Sequence, residues 1–170
     1  MKNKKKLCFN LILFIAIISI TFYIIFKDKS VADILQIISG AKKKYILIND
    51  RPQKAGDNGE ALYKYINKNE KALAKKTYFV ISSKCEDYKR LKKYGKVVKI
   101  NSLKHKYMFL NAKAIISSHN HPLFFNAFEL DKLKYYQDMF NYKFVWLQHG
   151  IIEKDVSKGA NRYTGGYDYM

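Results

Sequence analysis

The stretch Phe-Val-Trp-Leu-Gln-His-Gly-Ile-Ile, residues 144–152, decides the fold that this sequence predicts. Its first four residues are apolar or aromatic, a composition typical of a buried β-strand. Gln148, His149 and Gly150 follow where the strand gives way to a loop. Open α/β sheets bind ligands outside the carboxyl ends of their strands, so these three residues are candidates for a site. A buried histidine that only satisfies a strand end fits the same pattern equally well.

Outward from this stretch, short apolar runs alternate with segments of helical periodicity. The predicted strands are residues 45–49, 77–82, 97–100, 114–118 and 143–148. We predict helices at 86–93, 102–111 and 129–140, and one after residue 57 that buries Ala61, Leu62, Tyr65 and Ile66. Strands that alternate with helices form right-handed βαβ units. The sequence therefore predicts an α/β fold with a mainly parallel sheet.

Residues 7–26 form a nearly unbroken apolar run without charge. A run of this length spans a bilayer as a helix, and no small-residue cleavage site follows it. We therefore predict an uncleaved transmembrane anchor. Lysines flank the run on both sides, so the distribution of charge does not decide its orientation.

The formal net charge of +18 favours anionic partners, such as lipid head groups or phosphorylated substrates. The basic residues are almost all lysine, and arginine stands only at positions 51, 90 and 162. Few arginines and no interleaved aromatic stacking motif argue against a nucleic-acid-binding protein. The two cysteines, Cys8 and Cys85, lie in an apolar and a polar segment, so we expect no disulfide.

Residues 50–60 leave a predicted strand and enter a predicted helix. Asp57 with Glu60 resembles a capping box. Asn58 and Gly59 then lie at a helix N-terminus, which favours an anion such as a phosphate group. The spacing matches neither of the glycine-rich phosphate-binding motifs, so on spacing alone an ordinary capped βα loop is the favoured interpretation.

His119 and His121 follow the strand predicted at 114–118, on the same sheet edge as His149. A zinc site needs three or four ligands, and no further cysteine or carboxylate pattern accompanies the two histidines. We therefore expect a substrate-facing polar loop and no metal. His105, on the helix predicted at 102–111, is expected at the surface, and Trp146 is expected in the core.

Five blocks occur in an order that resembles the CDP-glycerol glycerophosphotransferase family of teichoic acid synthesis. The blocks are residues 50–52, 55–62, 78–82, 115–119 and 144–151. The resemblance covers about residues 46–157, and Gln148-His149-Gly150 followed by Lys154, Asp155 and Ser157 is its most specific part.

The resemblance implies a GT-B architecture, in which the active site lies between two Rossmann-like domains. Residues 1–29 would be the membrane anchor, 30–160 the Rossmann-like acceptor-side domain, and 161–170 an irregular tail. The second domain, which carries most of the donor site, is absent from this sequence. We therefore expect a truncated copy, whose own catalysis the missing half puts in question.

The resemblance also implies the chemistry. Glycerol phosphate, or ribitol phosphate, would pass from CDP-glycerol or CDP-ribitol to a lipid-linked polymer at the cytoplasmic side of the cell membrane. His149 would be the catalytic base, and no cofactor is expected. Substrate contacts would come from Asp57, Asn58, Gly59, His119, Gln148, Gly150 and Lys154. The alternative is a non-catalytic, membrane-anchored binding module.

Overall fold

The computed structural model describes residues 44–129 and 140–148, together with Ser19 alone. Its strands are β1 (Tyr45–Asn49), β2 (Thr77–Ile81), β3 (Val97–Lys99), β4 (Ala112–Ser117) and β5 (Lys143–Trp146). They form one sheet in the order β3-β2-β1-β4-β5, and every neighbouring pair is parallel. The predicted α/β class with a mainly parallel sheet is confirmed. The strand order is that of the first five strands of a Rossmann fold.

The connections between the strands are helical. They comprise α1 (Asn58–Asn69), α2 (Lys71–Ala74), α3 (Asp87–Leu91), α4 (Leu103–Leu110) and a 3₁₀ helix at Pro122–Phe124. The predicted helices at 86–93 and 102–111 are thus found in slightly shorter form. The helix predicted at 129–140 lies outside the described residues except at its two ends.

The sheet carries a hydrophobic core on each face. Leu47, Val80 and Ile115 pack on one face with Met108 and Phe109 of α4. The alternate residues of β1 and β2 pack on the other face with α1 and α3, through Ile48, Phe79, Ile81, Tyr63, Ile66 and Leu91. Burial on both faces explains why the central strands are nearly continuous apolar runs in the sequence. Trp146 lies in the first core, as predicted.

The buried face of α1 differs from the prediction. Ala61 is exposed and Tyr65 is 58 % exposed, whereas Tyr63 and Ile66 are buried. The helix is oriented by Gly59, where an added Cβ would lie only 2.8 Å from the backbone oxygen of Asn49. This close approach turns positions 59, 63 and 66 towards the sheet, since residues spaced by three and four share one helix face.

His105 is fully buried, so its predicted surface position was wrong. Its ring packs edge-on against Phe109, and its Nδ1 accepts a hydrogen bond of 3.1 Å from the backbone N–H of Asn101. Asn101 has a φ of 59°, in the left-handed region. The histidine therefore satisfies a strained turn from inside the core, which no periodicity in the sequence indicates.

Burial lowers the pKa of His105 from 6.5 to about 3. The unfolded chain therefore binds a proton more readily than the folded chain between these two values. Stability from this source is complete above pH 6.5 and is lost as the pH falls towards 3. We expect the free energy of unfolding to drop by about 2 kcal/mol between pH 7 and pH 5, measured by urea denaturation.

His105→Asn keeps a hydrogen-bond acceptor near Nδ1 and removes the titration, so it should flatten this pH dependence. The matched control is His121→Asn, at an exposed position where Nδ1 likewise accepts from a backbone N–H, that of Leu123. The control should keep the slope of the unmodified chain. An unchanged slope in His105→Asn would show that other groups cause the acid sensitivity.

No helix within residues 44–129 and 140–148 has the length and apolar character needed to cross a membrane. The predicted anchor at 7–26 lies outside the described residues apart from Ser19, and the tail at 161–170 lies wholly outside them. The anchor and the division into residues 1–29, 30–160 and 161–170 stay predictions.

Candidate functional site

The chain passes from β1 to β2 on one side and returns from β3 to β4 on the other side of β1, so the strand order reverses where the carboxyl ends of β1 and β4 lie side by side. Such switch points are where open α/β sheets bind ligands. The residues that follow β1, β4 and β5 meet here: Ser118 N–H donates to the Asn49 carbonyl at 3.2 Å, and Leu147 N–H donates to the Ser117 carbonyl at 2.8 Å. We call this side of the sheet the carboxyl edge.

Asp50 is the hub of the carboxyl edge, with 1 % of its surface exposed. Its Oδ2 accepts from the backbone N–H groups of Asp57, at 3.1 Å, and Glu60, at 3.3 Å. Its Oδ1 accepts from Gly59 N–H at 2.9 Å and from the Ser118 hydroxyl at 2.6 Å. One carboxylate thus satisfies the start of α1 and ties it to the end of β4. A buried carboxylate at this position also complements the positive end of the helix dipole.

Asn58 connects the start of α1 to the end of β5. Its Nδ2 donates to the carbonyl of Gln148 at 2.8 Å and to that of Leu147 at 3.4 Å. Gln148 has a φ of 59°, a left-handed backbone conformation that residues other than glycine seldom adopt. Such strain persists only where the surroundings hold it, and it clusters at functional sites. Asn58 is one of the groups that hold it.

His119 follows β4 at the carboxyl edge. Its ring stacks on Phe124 with centroids 4.6 Å apart, and its Nε2 accepts from Arg51 Nε at 3.1 Å. The N–H of His119 donates to Ser117 Oγ at 3.1 Å. This histidine is therefore fixed in orientation by the loops that follow β4 and β1.

A network of charged side chains joins α1 to α3 next to the carboxyl edge. Arg90 donates to both carboxylate oxygens of Glu60, through Nη1 and, at 2.7 Å, through Nη2. Arg90 also binds Asp87, whose Oδ2 accepts from Ala55 N–H at 2.9 Å. The hydrogen bonds from Arg90 hold the pKa of Glu60 below its usual value despite burial, and the Ala55 N–H lowers the pKa of Asp87. The network ties the loop after β1 to α3.

The predicted capping box was wrong in its partners. The Asp57 side chain accepts from the next residue, Asn58 N–H, at 2.9 Å. Glu60 turns towards Arg90 and Lys64 instead of reaching back to the Asp57 N–H. That N–H is already satisfied by Asp50, a residue that lies seven positions earlier and outside the local capping pattern.

Two clefts adjoin the loop between β1 and α1, and both open at the carboxyl edge. The smaller, of about 150 Å³, is formed by residues 50–51 and 54–57. The larger, of about 630 Å³, lies between residues 53–55 and the segment after β2 that includes Ser82, Lys84 and Asp87. Lys54 and Lys84 give the larger cleft two cationic groups, and Glu86 and Asp87 give it two acidic ones.

Direct contacts connect Asn58 to the residues after β5 and Gly59 to Ser118 after β4, whereas Asp57 contacts Asp50 and Asn58. His119 lies next to Ser118 in the same edge. His149, Gly150 and Lys154 lie outside the described residues, although His149 directly follows Gln148. The sequence reasoning missed Asp50, Arg51 and the Glu60–Arg90–Asp87 network as parts of the site. The Asp-Arg-Pro sequence directly after β1 was the available signal, because charged residues at that sheet edge are candidates for function.

Metal ligands do not gather in the part of the chain that the structure describes: no three His, Cys, Asp or Glu side chains there lie close enough to hold an ion. The rings of His119 and His121 both contact Phe124, but their ring nitrogens have different partners. The first accepts from Arg51, and the second caps the 3₁₀ helix through the Leu123 N–H.

Comparison with known proteins shows which family the chain belongs to. Residues 32–165 match the family described as CDP-glycerol:poly(glycerophosphate) glycerophosphotransferase. The chain belongs to this family. The match includes every described residue of the carboxyl edge, and it confirms the family that the five sequence blocks indicated.

One curated relative supports the assignment. The chain is 42 % identical over 124 residues to the minor teichoic acid biosynthesis protein GgaB of Bacillus subtilis (strain 168). The aligned region is 72 % of this chain but 13 % of that relative. The chain therefore spans a small part of the length of the relative. No solved structure matches the chain.

Proposed function

We propose that this chain takes part in the transfer of glycerol phosphate, or ribitol phosphate, from a CDP-alditol to a membrane-linked teichoic acid acceptor. The observation that carries the proposal is the hydrogen bond from Asn58 to the Gln148 carbonyl, at 2.8 Å. This bond holds Gln148, the residue immediately before His149, in a left-handed conformation. Gln148 lies at the switch point of the sheet, and the family to which the chain belongs is described by the transfer of glycerol phosphate.

In the proposed reaction, a hydroxyl oxygen of the acceptor attacks the phosphorus of the glycerol phosphate group. The new P–O bond forms as the bond to CMP breaks, and CMP leaves with the bonding electron pair. The hydroxyl proton passes to His149, acting as general base, since imidazole accepts a proton near neutral pH. Lys154 offsets charge on the transferring phosphoryl group, and Gly150 gives the backbone room to approach the substrate.

The described residues have a supporting part in this proposal. Asn58 holds the turn that precedes His149, and Asp57, Gly59 and Gln148 lie with it at the carboxyl edge. The Gly59 N–H already donates to Asp50 and Ser118. That backbone donor is therefore occupied, and a substrate phosphate would not be bound through it. His119 would face the acceptor from the β4 side.

The test is a transfer assay on membranes from cells that express the protein from its own gene, so that the polypeptide has its natural length. Membranes would be incubated with labelled CDP-glycerol and a lipid-linked acceptor, and membranes from cells without the gene are the control. We expect gene-dependent release of CMP together with labelled polymer. A parallel reaction with labelled CDP-ribitol identifies ribitol phosphate as the transferred group if CDP-ribitol, and not CDP-glycerol, labels the polymer.

Two other outcomes would contradict the proposal. Equal labelling with and without the gene would show that this protein does not carry out the transfer. Gene-dependent retention of the acceptor polymer without CMP release, from either donor, would indicate the non-catalytic membrane-anchored binding module.

A further inference from the structure

The two edges of the sheet differ in charge. The amino edge, where the parallel strands begin, carries a row of exposed lysines at or next to the strand starts, on α2 and on the turn before β2: Lys44, Lys71, Lys75, Lys76, Lys96, Lys113 and Lys143. Among the described residues, the amino edge has one acidic residue, Glu70. The other described acidic residues lie in the segments that follow β1, β2 and β4 towards the carboxyl edge: Asp50, Asp57, Glu60, Glu86, Asp87 and Glu129.

Backbone hydrogen bonds fix the positions of these lysines. Lys44 N–H donates to the Asn111 carbonyl at 2.9 Å, next to the start of β4. The carbonyls of Lys76 and Lys96 accept from the neighbouring strands, from Ile46 at 2.9 Å and Phe79 at 3.0 Å. Adjacent strands lie about 4.8 Å apart, so the strand starts form a row about 20 Å long. Like charges held this closely repel one another, and a negative surface relieves that repulsion.

Tyrosines lie beneath the row. The Lys44 ammonium is 4.9 Å from the ring centroid of Tyr45, and that of Lys96 is 5.3 Å from the ring centroid of Tyr78. Both rings are half-buried and contact each other edge-on at 5.8 Å. Tyrosine under lysine is the combination found at membrane–water interfaces, where the ring is partly apolar and the ammonium remains in water.

We infer that the amino edge rests on an anionic lipid surface. Lysines are point charges suited to diffuse attraction by lipid head groups, whereas specific phosphate forks use arginine, which is absent from this row. The clefts around residues 50–57 and 82–87 open at the opposite edge. The chain also passes from residues 1–43, which include the apolar run at 7–26, into the sheet at Lys44. A membrane-bound N-terminal region would therefore bring this edge to the bilayer.

The experiment is lysine footprinting of the full chain in vesicles. The protein is reconstituted in phosphatidylcholine vesicles with or without 30 % phosphatidylglycerol, labelled briefly with an amine-reactive ester, and analysed by mass spectrometry. Lysines of the amino edge should label several-fold more slowly in the anionic vesicles, and 1 M salt should abolish that protection. Lys54 and Lys84, at the carboxyl edge, should label equally in both vesicle types. Equal labelling of the amino edge in both vesicle types would overturn the inference.

Variants sharpen the test. The triple substitution Lys76→Gln, Lys96→Gln and Lys113→Gln should remove most of the protection of Lys44, since each lysine contributes on the order of fivefold to binding an anionic surface. The matched control replaces three exposed lysines elsewhere, Lys84, Lys89 and Lys99, and should leave the protection of Lys44 unchanged. Equal loss in both triple variants would mean that net charge alone is responsible, which contradicts the assignment to this edge.

A soluble polyanion distinguishes the remaining source of negative charge. Poly(glycerol phosphate) added to neutral vesicles should protect the amino edge less than anionic lipid does. Protection by the polymer without protection by anionic lipid would assign the edge to the acceptor chain and overturn the lipid assignment. The result does not depend on whether the protein transfers glycerol phosphate.

Discussion

Asp50→Ala is expected to lower the free energy of unfolding by about 3–5 kcal/mol. The carboxylate is buried and accepts from three backbone N–H groups at the start of α1 and from the Ser118 hydroxyl. Alanine leaves the N–H groups of Asp57 and Glu60 and the Ser118 hydroxyl without this acceptor, whereas the Gly59 N–H keeps its bond to Ser118 Oγ. Each unsatisfied buried group costs about 1–3 kcal/mol before the structure relaxes. Urea denaturation at pH 7 measures the change.

Asp57→Ala is the matched control. Asp57 is also an aspartate at the start of α1, but it is only half-buried and its recorded side-chain bond is to the N–H of Asn58. Its loss should cost about 1 kcal/mol, the usual effect of removing an N-cap. Asp50→Asn should fall between the two alanine variants, because an amide keeps the shape and one acceptor. If Asp50→Ala and Asp57→Ala destabilise the protein equally, Asp50 is not the hub of the edge.

His149→Ala is expected to reduce kcat for glycerol phosphate transfer by about 10²–10⁴-fold, the usual contribution of a general base. The variant should retain the unfolding midpoint of the parent protein, so that the loss reports chemistry and not folding. The measurement is CMP release from CDP-glycerol at saturating donor and acceptor.

Two other histidines control for this result. His121→Ala, at an exposed position whose ring nitrogen caps the 3₁₀ helix, should leave kcat within a few-fold of the parent value. His119→Ala should mainly raise KM, because His119 is proposed to face the acceptor. If His119→Ala removes turnover and His149→Ala does not, the base is His119.

The fold could be predicted because the central strands carry their own signal. Residues 45–49 and 77–81 are buried on both faces, so they stand out as apolar runs, and their alternation with helices leaves parallel pairing as the simplest topology. The edge on which Asn58 and Gln148 lie follows from the same topology, since parallel strands share a carboxyl end.

The contacts within the site could not be predicted in the same way. Asp50 satisfies a helix that starts eight residues later and a hydroxyl 68 positions away, and His105 satisfies the strained Asn101 from inside the core. Such partners depend on tertiary packing. The local sequence around a polar residue that follows a strand does not indicate which distant groups it will bind. The predicted burial of Tyr65 was wrong for a related reason. The close approach of Gly59 to Asn49, and not the apolar pattern, determines which face of α1 is buried.

The most direct measurement of the central claim is a double-mutant cycle between Asn58 and His149, measured as kcat/KM for transfer. If Asn58 acts by holding the turn before His149, Asn58→Ala should lower kcat/KM by about tenfold in the parent protein. It should have less than about a twofold effect when His149 is already alanine, because residues that act as a unit are not additive. An equal loss from Asn58→Ala in both backgrounds would contradict the account, since Asn58 would then act independently of His149.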